Sequence, residues 1–294
     1  MTWLQIVIFS LVEGISEFLP VSSTAHLLLL ERFWGVANQA LFDTVLLWLQ
    51  LSAALVLVWL FFRSVWQHKE IWWKLILATL PALIIGVKVY PKIKRYLSDT
   101  SPLTGWMLIL FGIVFTLIDW WLTKKQTPLE FTDDKQLFES YVAEVKQAPW
   151  WKMLEVGLAQ SLAIVPGVSR SGATIFGARL ANFSKAGATM LAFVLAIPTL
   201  AGASVLDLWE TWQLRDAELV CDCYMEPCDC PPPYNVFNDN EAMIKMAVAA
   251  VLTLMIAALA VKPCLKYLVR RPFYYLGIYR IVVGIIWLLS YYLV

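Results

Sequence analysis

Glu17-Phe-Leu-Pro-Val-Ser-Ser-Thr-Ala-His26 and Pro166-Gly-Val-Ser-Arg-Ser-Gly-Ala-Thr174 each interrupt an otherwise apolar stretch, over residues 1–34 and 152–183. Their flanks read as helix, while Pro and Gly in their centres break one. Irregular polar backbone at membrane depth is tolerated only when buried in protein or lining a wet cavity. Each stretch is therefore expected to form a re-entrant hairpin, with a helix, a polar turn and a second helix. Composition supplies the bilayer that this reading needs. Of 294 residues, 60% are hydrophobic and 15% charged, against the roughly 25% charged of soluble chains. The mean hydropathy is +0.67. The 15 Trp and 11 Tyr suit the aromatic belts of a membrane interface. A soluble enzyme core and disorder are excluded. A net charge of +1 gives no surface for nucleic acid.

Around the two interruptions, six apolar stretches are long enough to cross a hydrocarbon core of roughly 30 Å. They lie at about 41–62, 73–90, 104–123, 186–205, 243–262 and 276–293. Met1 to Leu30 lacks a basic n-region and carries Glu13 and Glu17, so it is expected to belong to the fold rather than to a signal peptide. If 152–183 re-enters, twelve Lys/Arg fall on one side, within 63–74, 124–152 and 262–271, against Lys92, Lys94, Arg95 and Arg215 on the other. A full crossing would split them almost evenly, and the positive-inside rule favours the unequal division. Residues 1–123 and 150–294 then each read as one broken hairpin followed by three crossings. Three is odd, so the second half starts from the opposite face. The predicted fold is an all-α polytopic membrane protein, a single integral membrane domain over 1–294. It has six full spans and two re-entrant hairpins in an inverted-topology repeat. The charged linker at 124–150 is expected to lie at the interface.

Glu13 and Glu17 are four residues apart and share a helix face. Two acids inside a membrane segment are costly and point to function. Side by side they repel, so they require a metal ion, a cation or a shared proton. Ser22, Ser23 and Thr24 read as the start of a second helix, where exposed amides make an anion site. His26 follows at once. In the second interruption Ser169, Arg170 and Ser171 are bracketed by Gly167 and Gly172, with Thr174 beyond. Glycine lets backbone approach an anion, and Arg offers a planar fork that matches phosphate oxygens. Arg170 alternatively only neutralises the glutamates.

These two motifs, with Gln50 in the first full span, resemble the undecaprenyl-pyrophosphate phosphatase family, the bacitracin-resistance proteins. The resemblance covers most of the chain. Ala25 and Ser52 stand where the family pattern carries glycine. It implies a bacterial inner-membrane hydrolase that removes the terminal phosphate of a C55 polyprenyl diphosphate and recycles the lipid carrier of cell-wall synthesis. It also implies a divalent cation, Mg²⁺ or Ca²⁺, held by Glu13 and Glu17. Ser22, Thr24, Ser169, Arg170, Ser171, Gly172 and Thr174 are the expected phosphate-binding residues. Glu17, Ser23, His26 and Arg170 are the expected catalytic ones, with Ser23 as nucleophile and His26 as the alternative. The substrate and membrane lipids are the expected partners, the site is expected to open externally, and the oligomeric state stays open. A polyprenyl-phosphate transporter using the same phosphate site is the rival reading.

One stretch has no counterpart in that resemblance. Residues 207–241 carry nine acids against Arg215, and Cys221, Cys223, Cys228 and Cys230 are spaced C-x-C-x4-C-x-C. An oxidising exterior favours disulfides over a zinc site, with three pairings open. Mass analysis of non-reduced, alkylated protein is expected to find these four thiols bridged and Cys264 reduced. Four alkylated thiols without zinc would overturn both ordered readings.

Overall fold

The computed structural model describes residues 1–36, 39–88, 101–123, 133–213 and 239–293, so the cysteines of 221–230 lie outside the described residues. The elements are α1 (Trp3–Ser16), α2 (Ser23–Trp34), α3 (Gln39–Gln67), α4 (Trp72–Lys88), α5 (Pro102–Thr123), α6 (Asp134–Gln147), α7 (Trp150–Ser161), α8 (Arg170–Leu180), α9 (Lys185–Gln213), α10 (Asn240–Arg270) and α11 (Tyr274–Leu293). Short 3₁₀ turns at Lys69–Ile71 and Leu162–Ile164 precede α4 and follow α7. Among the described residues, six helical segments are long and apolar enough to cross a membrane: Leu41–Gln67, Lys69–Lys88, Pro102–Leu122, Lys185–Val205, Asn240–Arg270 and Tyr274–Leu293. They coincide with the six expected stretches. The chain is an all-α polytopic membrane protein.

The other helices are short for physical reasons. Thr2 opens α1 with a capping box, accepting from the Gln5 amide at 3.2 Å while Gln5 Oε1 accepts from the Thr2 amide at 2.7 Å. At 1.5 Å per residue its 14 residues span about 21 Å, too little for a crossing. Pro20 and the left-handed Ser22 (φ 70°) then separate it from α2. The α2 helix folds back along α1. Ser23 touches Glu17 at the turn, and the Trp34 ring meets Phe9 at 5.9 Å near the other end. The second pair behaves alike. Thr174 of α8 bonds Gln160 of α7, and a Cβ on Gly177 would stand 2.4 Å from Ala159 Cβ and 3.3 Å from Val156.

The principal packing partners survive exchange of the two halves. α1 lies along α10 as α7 lies along α4, while α3 meets α9 and α5 meets α11. The last contact is the most extensive. A Cβ on Gly112 would come within 2.7 Å of the Gly277 carbonyl, and one on Gly284 within 2.8 Å of the Gly105 carbonyl. Small residues at this seven-residue spacing let the two backbones touch, the usual device of membrane helix pairs.

One end of the bundle joins α2 and α5 to the close of α11. Arg32 Nε donates to the Ser290 carbonyl at 3.1 Å, and Trp287 Nε1 to the Ser101 carbonyl at 3.1 Å. The opposite end is rich in Lys and Arg. There α6 buries Leu137, Phe138, Tyr141, Val142 and Val145 and turns its charged side outward. Lys74 Nζ donates to the carbonyls of Val145 (2.9 Å), Lys146 (2.8 Å) and Ala148 (2.5 Å), filling acceptors that the end of α6 leaves open.

Candidate active site

The two polar turns meet inside the bundle. Glu17 ends α1, and its carboxylate is engaged at both oxygens. Oε2 accepts from the Ser23 hydroxyl at 2.5 Å, and Oε1 from Arg170 Nη2 at 2.6 Å. The first bond closes one turn on itself; the second joins it to the other across 153 residues. All three side chains are at most 15% exposed, so water screens the pair weakly. Arg170 Nη1 donates to the Ala192 carbonyl at 3.1 Å, while its buried Nε has no hydrogen-bond partner. An unfilled buried donor beside an ion pair is what an incoming phosphate oxygen would satisfy.

Glu13, one helical turn before Glu17, is wholly buried. Neither of its carboxylate oxygens has a hydrogen-bond partner, although Glu17, Ser23 and Arg170 are its electrostatic neighbours. Buried acceptors left bare this way cost free energy, and a hard cation is the group that such oxygens suit. Among the described residues no three His, Cys, Asp or Glu side chains cluster into a metal site. Glu13 and Glu17 are the residues here that would hold such a cation.

Ser22 sits at the N-cap of α2, but its hydroxyl makes no capping bond. That departs from the capping role its residue type suggests. Its carbonyl instead accepts from His26 Nδ1 at 2.7 Å. A carbonyl only accepts, so Nδ1 carries the proton and Nε2 is the bare nitrogen. Tyr279 OH fills it at 2.7 Å. His26 is thus held at both nitrogens, and Ser23 bonds Glu17. Thr24 Oγ1 accepts from Gln50 Nε2 at 3.3 Å, which draws the first span into the site.

Ser169 mirrors Ser22 in position and in φ (74°), and here the hydroxyl does cap, accepting from the Gly172 amide at 3.2 Å. It also lies 3.2 Å from the Ser171 hydroxyl, which donates to the Leu19 carbonyl at 3.1 Å. Thr174 is turned away from the meeting point. It bonds Gln160 Oε1 and the Arg170 carbonyl, both at 2.9 Å, so its hydroxyl ties α8 to α7 rather than facing a phosphate. Motif reading missed Tyr279, Gln160 and Arg280. The one signal that could have found the last is an arginine inside an apolar span.

Comparison with known proteins gives the family. The family described as bacitracin resistance protein BacA matches residues 6–286. The chain is 31% identical to the undecaprenyl-diphosphatase of Aquifex aeolicus, over 98% of each chain. It is 31% identical to that of Campylobacter fetus, over 98% of this chain and 99% of the relative. With that of Flavobacterium psychrophilum it shares 28% identity over its full length and 98% of the relative. These relatives are diphosphatases and lend the transporter reading no support. A helical membrane chain with two polar turns joined by Glu17 and Arg170, matched along almost its whole length, belongs to the BacA bacitracin resistance family.

Proposed function

We propose that this chain, a membrane hydrolase by family, removes the terminal phosphate of undecaprenyl diphosphate, recycles the lipid carrier of cell-wall synthesis and confers bacitracin tolerance. The observation that carries the mechanism is the Ser23–Glu17–Arg170 array, a hydroxyl, a base and a phosphate-gripping fork in direct contact. Ser23 Oγ attacks the terminal phosphorus as its proton passes to Glu17, and the polyprenyl phosphate leaves. Glu17 gives that proton up to solvent; water then attacks the phosphoserine, Glu17 takes the water's proton and returns it to Ser23 Oγ, and free phosphate departs. Arg170 and the amides at the start of α2 and α8 would stabilise the charge that grows on the transferring phosphoryl group. Attack by His26 would first require breaking its bond to Tyr279, which favours Ser23.

A divalent cation held by Glu13, with Glu17 beside it, would neutralise diphosphate charge. Chelation is expected to abolish turnover. Glu13→Gln is expected to weaken metal affinity by about 10- to 100-fold, read by manganese binding as well as by rate. Full activity in excess chelator would remove the metal from the reaction.

In this reading both hairpins re-enter, from opposite faces. The fold-back contacts support it, and so do the positions of the outer ends, with α1 and α2 at one end of the bundle and α7 and α8 at the Lys/Arg-rich end. The positive-inside rule makes the latter cytoplasmic, so Glu13 and Glu17 are reached from outside. The prenyl chain lies between helices and never leaves apolar surroundings. The deciding experiment is phosphate release from C55 diphosphate by purified protein with and without chelator. No release under any divalent metal would sink the proposal.

A further inference from the structure

We propose that Arg280 is a positioning residue that fixes the spacing and aim of the two polar turns, an inference that rests on the phosphatase reading above. Arg280 lies in α11 and is wholly buried. Its Nη1 donates to the Pro20 carbonyl at 2.9 Å, in the turn that carries Glu17 and Ser23. Its Nη2 donates to the carbonyls of Gly167 (2.7 Å) and Val168 (2.9 Å), in the turn that carries Arg170. One rigid fork therefore spans both motifs, and the Glu17–Arg170 contact of 2.6 Å lies in the space it sets.

The carbonyls it takes belong to distorted backbone. Gly167 has φ 90°, and the left-handed Ser22 and Ser169 follow within two residues of the bonded carbonyls. Such conformations persist only where the surroundings over-determine them. These carbonyls lie just before the first turns of α2 and α8, which carry Ser23 and Arg170. A Cβ on Gly172 would stand 3.3 Å from Nη1, so the guanidinium sits directly beneath the first turn of α8. Both of its terminal nitrogens donate to backbone, while its buried Nε has no hydrogen-bond partner.

A general need of the repeat does not explain this cation. The glycine contacts set the register between halves, since Gly105 meets Gly284 as Gly112 meets Gly277. Gly105 then corresponds to Gly277 and Arg280 to Leu108. Leu108 is buried among Ala25 and Val283, an apolar side chain in an apolar place. Only one half carries the fork, and it serves both turns.

The test uses full-length purified protein and C55 diphosphate. Arg280→Lys keeps the charge but loses the planar span. It is expected to lower kcat about a hundredfold, the cost of a small misplacement in the site, with thermal unfolding little changed. Combined with Arg170→Lys it should add less than tenfold to the loss from Arg170→Lys alone, because both act through the same alignment. Guanidinium ion should partly restore Arg280→Ala, and ammonium should not. Near-normal turnover in Arg280→Lys, or losses that multiply in the double variant, would overturn the inference. Phosphate release by the unaltered protein tests the phosphatase reading separately.

Discussion

Glu17→Gln is expected to slow phosphate release by about a thousandfold while the protein still folds and inserts. One carboxylate serves two partners here, accepting from the Ser23 hydroxyl at 2.5 Å and from Arg170 at 2.6 Å. An amide keeps the shape and one acceptor. It cannot take the proton of Ser23, and it offers Arg170 no charge. Loss of a positioned base alone costs about 10²–10⁴ in rate, and the weakened hold on the guanidinium adds to it. Because base and nucleophile act as a unit, Ser23→Ala in the Glu17→Gln background is expected to cost little more. The check is a single-turnover rate beside a gel-filtration profile in detergent. A Glu17→Gln protein within tenfold of the parent would move the base elsewhere, with His26 the next group to test.

Arg170→Lys is expected to lower kcat by about 10²–10³, with a smaller change in KM. The native guanidinium spends Nη2 on Glu17 and Nη1 on the Ala192 carbonyl, and holds Nε in reserve, buried and unbonded. A lysine ammonium can replace the ion pair with Glu17, which preserves folding. It cannot also reach Ala192 and present a further donor in a fixed plane. The missing donor matters most when charge grows on the phosphoryl oxygens, so the loss falls on turnover. Equal kcat in the two proteins would reduce Arg170 to a counter-charge.

The spans were readable because lipid imposes a minimum run of apolar residues, and all six runs stand where that rule puts them. Their ends were not. The third helix runs on to Gln67 and the tenth spans Asn240–Arg270, well past the apolar stretches at 41–62 and 243–262, because helices continue into the interface where polar side chains meet water. The candidate site was legible for a related reason, since Glu13, Glu17, His26 and Arg170 are polar residues in segments that penalise them. What the sequence concealed is pairing. Nothing in the motif says that Thr174 turns back to Gln160, or that Tyr279 caps His26. Arg280 was hardest to read, because its partners at Pro20, Gly167 and Val168 are backbone carbonyls, and every residue has one.

The exchange of packing partners between halves bears on how the chain is made. The first helix rests on the tenth, and the seventh on the fourth, so neither half owns the surface its own hairpin needs. While the ribosome is still at work, Glu13 and Glu17 have no protein to shield them and must wait near the membrane surface or inside the insertion machinery. The helix that carries Arg280, at residues 274–293, follows both turns in the chain, so its fork can bond them only after both have been made. A nascent chain halted before that helix would hold Glu13, Glu17, His26 and Arg170 without the guanidinium that bonds both turns.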